Sequence, residues 1–193
     1  NLVIYGGFDT ALSNDVWTLS LKFWKWEKRK TTGTIPSARE GHTSILYKDI
    51  MVIFGGWTGS ASQDVYTLDL KSWMWTKETI TGTQPGGRRD HTALLYGSNQ
   101  MIIFGGSDGN DEGLDDIWIL NLDTWAWTAR GTGSGSNKPG SRVGHTAVMY
   151  DNTNMLVFGG SVDGVVNNDM FYLNFNNLQW TKITTTGKYI YGI

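Results

Sequence analysis

The chain has 193 residues, 16 Lys and Arg against 18 Asp and Glu, and no cysteine. The length suffices for one domain with a real core, and the near-neutral charge excludes a generic nucleic-acid binder, which carries a basic excess. Without cysteine there are no disulfides, thiolate zinc sites or cysteine nucleophiles. No apolar run approaches the roughly 18 residues of a membrane span, so no membrane insertion is expected. The missing cysteines, the absence of an Asn-x-Ser/Thr acceptor and the lack of a signal peptide lead us to expect a cytoplasmic protein.

The first element is an apolar run, Leu2–Tyr5, ending at Gly6-Gly7. After loop 8–14, Asp15 opens an alternating run in which Trp17 and Leu19 share one face and Val16 and Thr18 the other, the period of a strand. Eleven residues beyond Asp15 stands Trp26, on a further strand with the basic cluster Lys25–Lys30. Charges there guard an outer edge against aggregation. Trp24 is expected on the same strand face as Trp26. Pro36, Arg39 and His42 follow, and His42 opens a strand that runs to Tyr47.

From His42 onward the pattern recurs. Apolar runs end at Gly55-Gly56, Gly105-Gly106 and Gly159-Gly160, spaced by 49, 50 and 54 residues from one first glycine to the next. Asp64, Asp116 and Asp169 open alternating runs, and Trp75, Trp127 and Trp180 follow each Asp by eleven residues. Trp73, Trp125 and Leu178 stand where Trp24 does. Pro85, Arg88 and His91, then Pro139, Arg142 and His145, repeat the connection. Self-similarity at this period marks a repeat architecture in which each unit needs its neighbours to bury both faces. One unit reads as four short strands, and no stretch has a helical period.

Pro-x-x-Arg-x-x-His, a strand ending in Gly-Gly, Asp-x-aromatic-x-Leu and then Trp closely resembles the kelch repeat, over essentially the whole chain. The resemblance implies an all-β, kelch-type β-propeller in which each repeat is a four-stranded blade. Four blades, about fifteen strands, are expected at 1–30, 38–79, 87–130 and 141–186 of a single domain, 1–193. Residues 187–193 would start a fifth repeat or supply a closing strand, and the chain is expected to be part of a larger ring. The Thr-Gly-x-x-Pro lead-in, as at Thr32-Gly33 and Thr81-Gly82, is similar to that of fungal cell-end and Rab-effector-like kelch scaffolds.

Variation locates the working face. The Asp-to-Trp spacing is constant, whereas the loops from strand two to three and the blade-to-blade connections change length. Both open on one face, and length change confined to one face of a repeat fold marks a binding surface. Phe8 and Trp57 stand directly after glycine pairs, where later repeats have Ser107 and Ser161. They are aromatic anchor candidates, against a role in packing over the glycines. Arg39, Arg88 and Arg142 are further candidates, because in some kelch receptors the matching Arg binds acidic peptides; recurrence in every repeat favours architecture instead. Asp108, Asp111 and Glu112, in the longest and most acidic loop, could meet a basic partner. That loop lacks the closing Glu of a calcium site, since Ile119 stands at that position. His42, His91 and His145, one in each of the last three blades, are spread round a ring and read as structural rather than as metal ligands. The remaining structural set is Gly6, Gly7, Gly55, Gly56, Gly105, Gly106, Gly159, Gly160, Trp26, Trp75, Trp127 and Trp180.

Catalytic kelch-fold relatives use a Tyr–Cys crosslink with copper or a Glu-x3-Asp-x3-His iron pattern, and neither pattern is in this sequence. The expected function is a non-catalytic scaffold for a protein or peptide, with no cofactor and no metal. A carbohydrate-binding propeller is the alternative, and a non-catalytic part of a galactose-oxidase-like enzyme a second. Self-association through open blade edges is a further expectation.

Overall fold

The computed structural model describes residues 1–110, 113–135 and 137–186. The expected start of a fifth repeat at 187–193 lies outside these residues. Blade one is a three-stranded antiparallel sheet of β1 (Leu2–Tyr5), β2 (Val16–Ser20) and β3 (Lys25–Arg29). After a short β4 (Thr32–Gly33), blade two comprises β5 (Thr43–Tyr47), β6 (Ile50–Phe54), β7 (Val65–Asp69) and β8 (Met74–Lys77). Blade three comprises β9 (Thr92–Tyr96), β10 (Gln100–Phe104), β11 (Ile117–Asn121) and β12 (Ala126–Ala129). Blade four comprises β13 (Thr146–Met149), β14 (Asn154–Phe158), β17 (Met170–Asn174) and β18 (Gln179–Ile183). Its second and third strands are separated by a small hairpin, β15 (Ser161–Val162) with β16 (Val165–Val166). Each blade is an antiparallel meander, and no helix occurs among the described residues.

Blades are held together by sheet faces. In blade two, Ile45, Tyr47, Val52, Phe54 and Val65 pack on Met101, Ile103 and Leu120 of blade three. Met51, Ile53, Tyr66 and Leu68 turn the other way, onto Tyr5 and Val16 of blade one. Both pleat faces of β6 are therefore covered, which is why Met51–Phe54 is continuously apolar rather than alternating. The repeated Trp fills the wedge between blades. Trp75 lies 4.9 Å from the ring of Tyr5, Trp127 4.9 Å from Phe54 and Trp180 5.0 Å from Phe104, each in the preceding blade. Among the described residues no blade packs on the outer side of Trp26, which is 46% exposed, against 1% for Trp75.

The first residue of each expected Trp pair is not on the strand. Trp24, Trp73, Trp125 and Leu178 occupy the turn before it with φ of 53°, 59°, 55° and 55°. Their amides close the turn; Trp73 N–H donates to Asp69 O at 2.8 Å and Trp125 N–H to Asn121 O at 2.8 Å. The left-handed residue interrupts the pleat, so it cannot share a face with the Trp two positions on. It also aims its carbonyl outward. Trp73 O accepts from Thr32 N–H at 3.0 Å, and Leu178 O from Ser134 N–H at 2.7 Å. Thus the linker leaving one blade runs parallel to the outer strand of the next: Thr32–Gly33 on Met74–Trp75, Thr81 on Ala126 and Ser134 on Gln179. These linkers cover backbone edges that would otherwise be open.

Candidate partner-binding face

The loops between second and third strands and the blade-to-blade connections are laced together by the same backbone bonds at every junction. Gly7 N–H donates to Arg39 O at 2.8 Å, and Arg39 N–H returns to Ser13 O at 3.0 Å. Gly56 and Arg88, with Ser62, repeat this at 2.8 and 3.0 Å, and Gly106 and Arg142, with Leu114, at 2.9 and 3.1 Å. This gives the loops a fixed floor. What varies is the side chains that stand on it.

Arg39, Arg88 and Arg142 belong to the floor. All three are at most 1% exposed. Their Nη1 groups donate to the carbonyls of Gly55, Gly105 and Gly159 at 2.7, 3.1 and 2.8 Å, the first glycine of each blade's own pair. Arg88 also grips Asp116 with both terminal nitrogens, at 2.6 and 2.9 Å, and Arg142 bonds Asp169 at 3.0 Å. A guanidinium so enclosed offers no surface to a macromolecule. Burial pushes the Asp116 carboxyl upward, but the Arg88 hydrogen bonds and charge outweigh it and hold it below the usual carboxylate range.

The histidines follow three residues after each Arg. His91 Nε2 meets Thr43 Oγ1 of the preceding blade at 2.7 Å, and His145 Nε2 meets Thr92 Oγ1 at 2.9 Å. Each ring also packs edge-on against an aromatic of the preceding blade: His42 on Tyr5, His91 on Phe54 and His145 on Phe104. Desolvation first, and the neighbouring Arg second, lower His42 to about 4 and His145 to about 3, with His91 also well below 6.5. Among the described residues no cluster of His, Asp and Glu has the arrangement of a metal site.

The two aromatic candidates separate. Trp57 is half-buried: the Arg89 guanidinium sits 5.0 Å from its ring centroid, and Gly109 of the next loop lies against its edge. Phe8 is 62% exposed. Asp108 closes its own turn, its Oδ1 accepting from Asn110 N–H at 2.8 Å. Asp111 and Glu112 lie outside the described residues. Sequence reasoning missed Arg89, whose signal was its place beside the recurrent Arg, and Glu40, which occupies the same place one blade earlier.

A family profile described as the KLHDC2/KLHL20/DRC7 Kelch-repeats domain matches residues 1–132 and 58–191. Among curated proteins, the chain is 38% identical over 102 residues to host cell factor homolog hcf-1 of Caenorhabditis elegans, covering 45% of the chain and 12% of that protein. It is 30% identical over 87 residues to acyl-CoA-binding domain-containing protein 5 of Arabidopsis thaliana, covering 45% of the chain and 13% of that protein. It is 32% identical over 93 residues to tip elongation aberrant protein 1 of Schizosaccharomyces pombe, covering 46% of the chain and 8% of that protein. The matches thus span only a small part of each of these relatives. Blade geometry, repeat register and profile agree, and the chain belongs to the kelch-repeat family.

Proposed function

We propose that this chain is a non-catalytic interaction module that binds a protein partner through the loops between second and third strands and the blade-to-blade connections. The observation that carries this reading is the contrast on that face between a constant backbone floor and changing side chains above it. A rigid scaffold bearing variable loops is how repeat folds present binding residues. Kinship with fungal cell-end scaffolds is part of the proposal, supported by the similarity to tip elongation aberrant protein 1. The expected compartment is cytoplasmic.

Photo-crosslinking tests the reading. A benzophenone amino acid at Thr10 or Ser60, both exposed on the loop face, should capture a discrete partner in cells. The same probe at Lys48 or Asn152, exposed on the opposite face, should not. Capture from the opposite face alone would overturn the assignment.

A carbohydrate ligand is the second reading. A cleft of about 500 Å³ in blade four is lined by polar groups including Asn137, Lys138, Asp163, Asn167 and Lys182. Such a lining suits hydroxyl-rich ligands. Specific binding on a glycan array, lost on Asn167→Ala, would favour it; no binding on the array would remove it.

A further inference from the structure

Three blade junctions can be compared residue by residue. At each, the residue after the glycine pair and the residue after the recurrent Arg of the next blade hold matching positions, one step beyond the same Gly-to-Arg backbone bond. The pairs are Phe8 with Glu40, Trp57 with Arg89, and Ser107 with Val143. Glu40 and Arg89 also share a local backbone register. Glu40 exchanges bonds with Trp57 at 3.3 and 2.7 Å, and Arg89 with Ser107 at 2.9 and 2.8 Å.

The middle junction is complete, with an arginine over an aromatic ring at 5.0 Å. The third has neither partner. The first has the aromatic and lacks the cation. Glu40 cannot cover Phe8 as Arg89 covers Trp57, since the face of an aromatic ring carries negative potential and repels a carboxylate. Phe8 is exposed, with Asp9 beside it in the chain. None of the ion pairs among the described residues engages Asp9 or Glu40.

We propose that Phe8, Asp9 and Glu40 form a docking point for a basic side chain of the partner polypeptide, an arginine above all. The guanidinium stacks on Phe8, as Arg89 does on Trp57, and donates hydrogen bonds to the two carboxylates. Arginine is favoured over lysine because a planar fork can stack and pair at once, and an ammonium cannot. This inference rests on the loop-face reading and adds the chemical class of the partner.

The test uses the full chain and a short fluorescein-labelled peptide of alternating Arg and Gly, followed by anisotropy near physiological salt. Saturable binding is expected, weaker for the Lys-Gly peptide and absent for Glu-Gly. Phe8→Ala should weaken it at least about fivefold, with the melting temperature unchanged because the ring is exposed. Glu40→Arg rebuilds the middle junction's pair inside the protein and should abolish binding. Asp163→Asn, on the distant β15–β16 hairpin, should leave it intact. The proposal is overturned if the Arg-Gly peptide does not bind, if Phe8→Ala binds normally, or if Asp163→Asn weakens binding as much, which would mean diffuse acidic attraction. Crosslinking from Thr10 or Ser60 without Arg-Gly binding would defeat the arginine assignment alone, leaving the loop-face reading in place.

Discussion

At the scale of single residues, the Asp that opens a third strand is satisfied by different basic residues in different blades. In blade three the outer-strand residue two beyond the recurrent Trp is Ala129, paired with Trp118 and bearing no charge, and Arg88 takes Asp116 with two bonds. In blade two that position is Lys77, which pairs with Asp64 at 2.6 Å while Ser62 Oγ donates to the same carboxylate. Arg39 is left with Nη2 buried and unpartnered and its guanidinium over Tyr66 at 5.3 Å. Equal substitutions should therefore have unequal costs. Asp116→Ala strands a buried arginine and should cost about 3 kcal/mol. Asp64→Ala frees an exposed lysine and should cost under about 1 kcal/mol. Urea unfolding of the two variants checks the order, and equal losses would contradict it. Gly55 gives a second case. A Cβ there would stand 2.6 Å from Arg88 O and 3.0 Å from His91 Cε1, at a φ of +71°. Gly55→Ala should cost several kcal/mol, about 3 by the usual range for overpacking plus strain.

At the scale of elements, the turn before each outer strand holds a left-handed residue that is not glycine. Left-handed backbone costs roughly 1–2 kcal/mol for most L-residues. Trp24, at φ 53° and 73% exposed, gains little packing to offset this. Trp24→Gly should raise stability by up to about 1 kcal/mol, read as a higher urea midpoint; a lower midpoint would show that the indole packs more than its exposure suggests. Trp73 differs, because Arg29 of blade one lies 5.1 Å from its ring, so Trp73→Gly should be neutral or destabilising. The linkers on the outer strands explain why the Trp carbonyl must turn outward at all.

At the scale of the whole molecule, the junctions carry a pH dependence. His42, His91 and His145 are held neutral by burial and by the Arg beside each, with values of about 4 for His42 and about 3 for His145. The unfolded chain, titrating near 6.5, binds more protons than the fold below that pH. The histidine contribution is thus fully present above about pH 6.5 and is lost as pH falls toward 4 and then 3. Protonation of Asp116, whose folded value lies below the usual range, adds a further loss below about 3.8. Denaturation midpoints at neutral pH and near pH 5 should differ, the acidic one lower. A constant midpoint across that range would contradict neutral buried rings.

The sequence by itself determined the all-β class, the four units and the fifteen meander strands, because glycine pairs, Asp and Trp recur at spacings only a repeated meander satisfies. It also put the three histidines at one recurrent position, one in each of the last three repeats. Tertiary structure alone decided what depends on the neighbouring blade. It showed Arg39, Arg88 and Arg142, for which recurrence in sequence favoured architecture without deciding it, to be buried, and it moved Trp24 and its counterparts from strand to turn. It laid β4 along β8, a parallel contact between segments about forty residues apart that no local pattern encodes. It also parted Phe8 from Trp57. The two look alike in sequence, and Trp57 is half-buried with Arg89 of the following blade over its ring, while Phe8 is exposed and the matching position of the following blade is Glu40. A repeat's period is a local property, but whether a side chain is free depends on what the adjacent repeat sets against it.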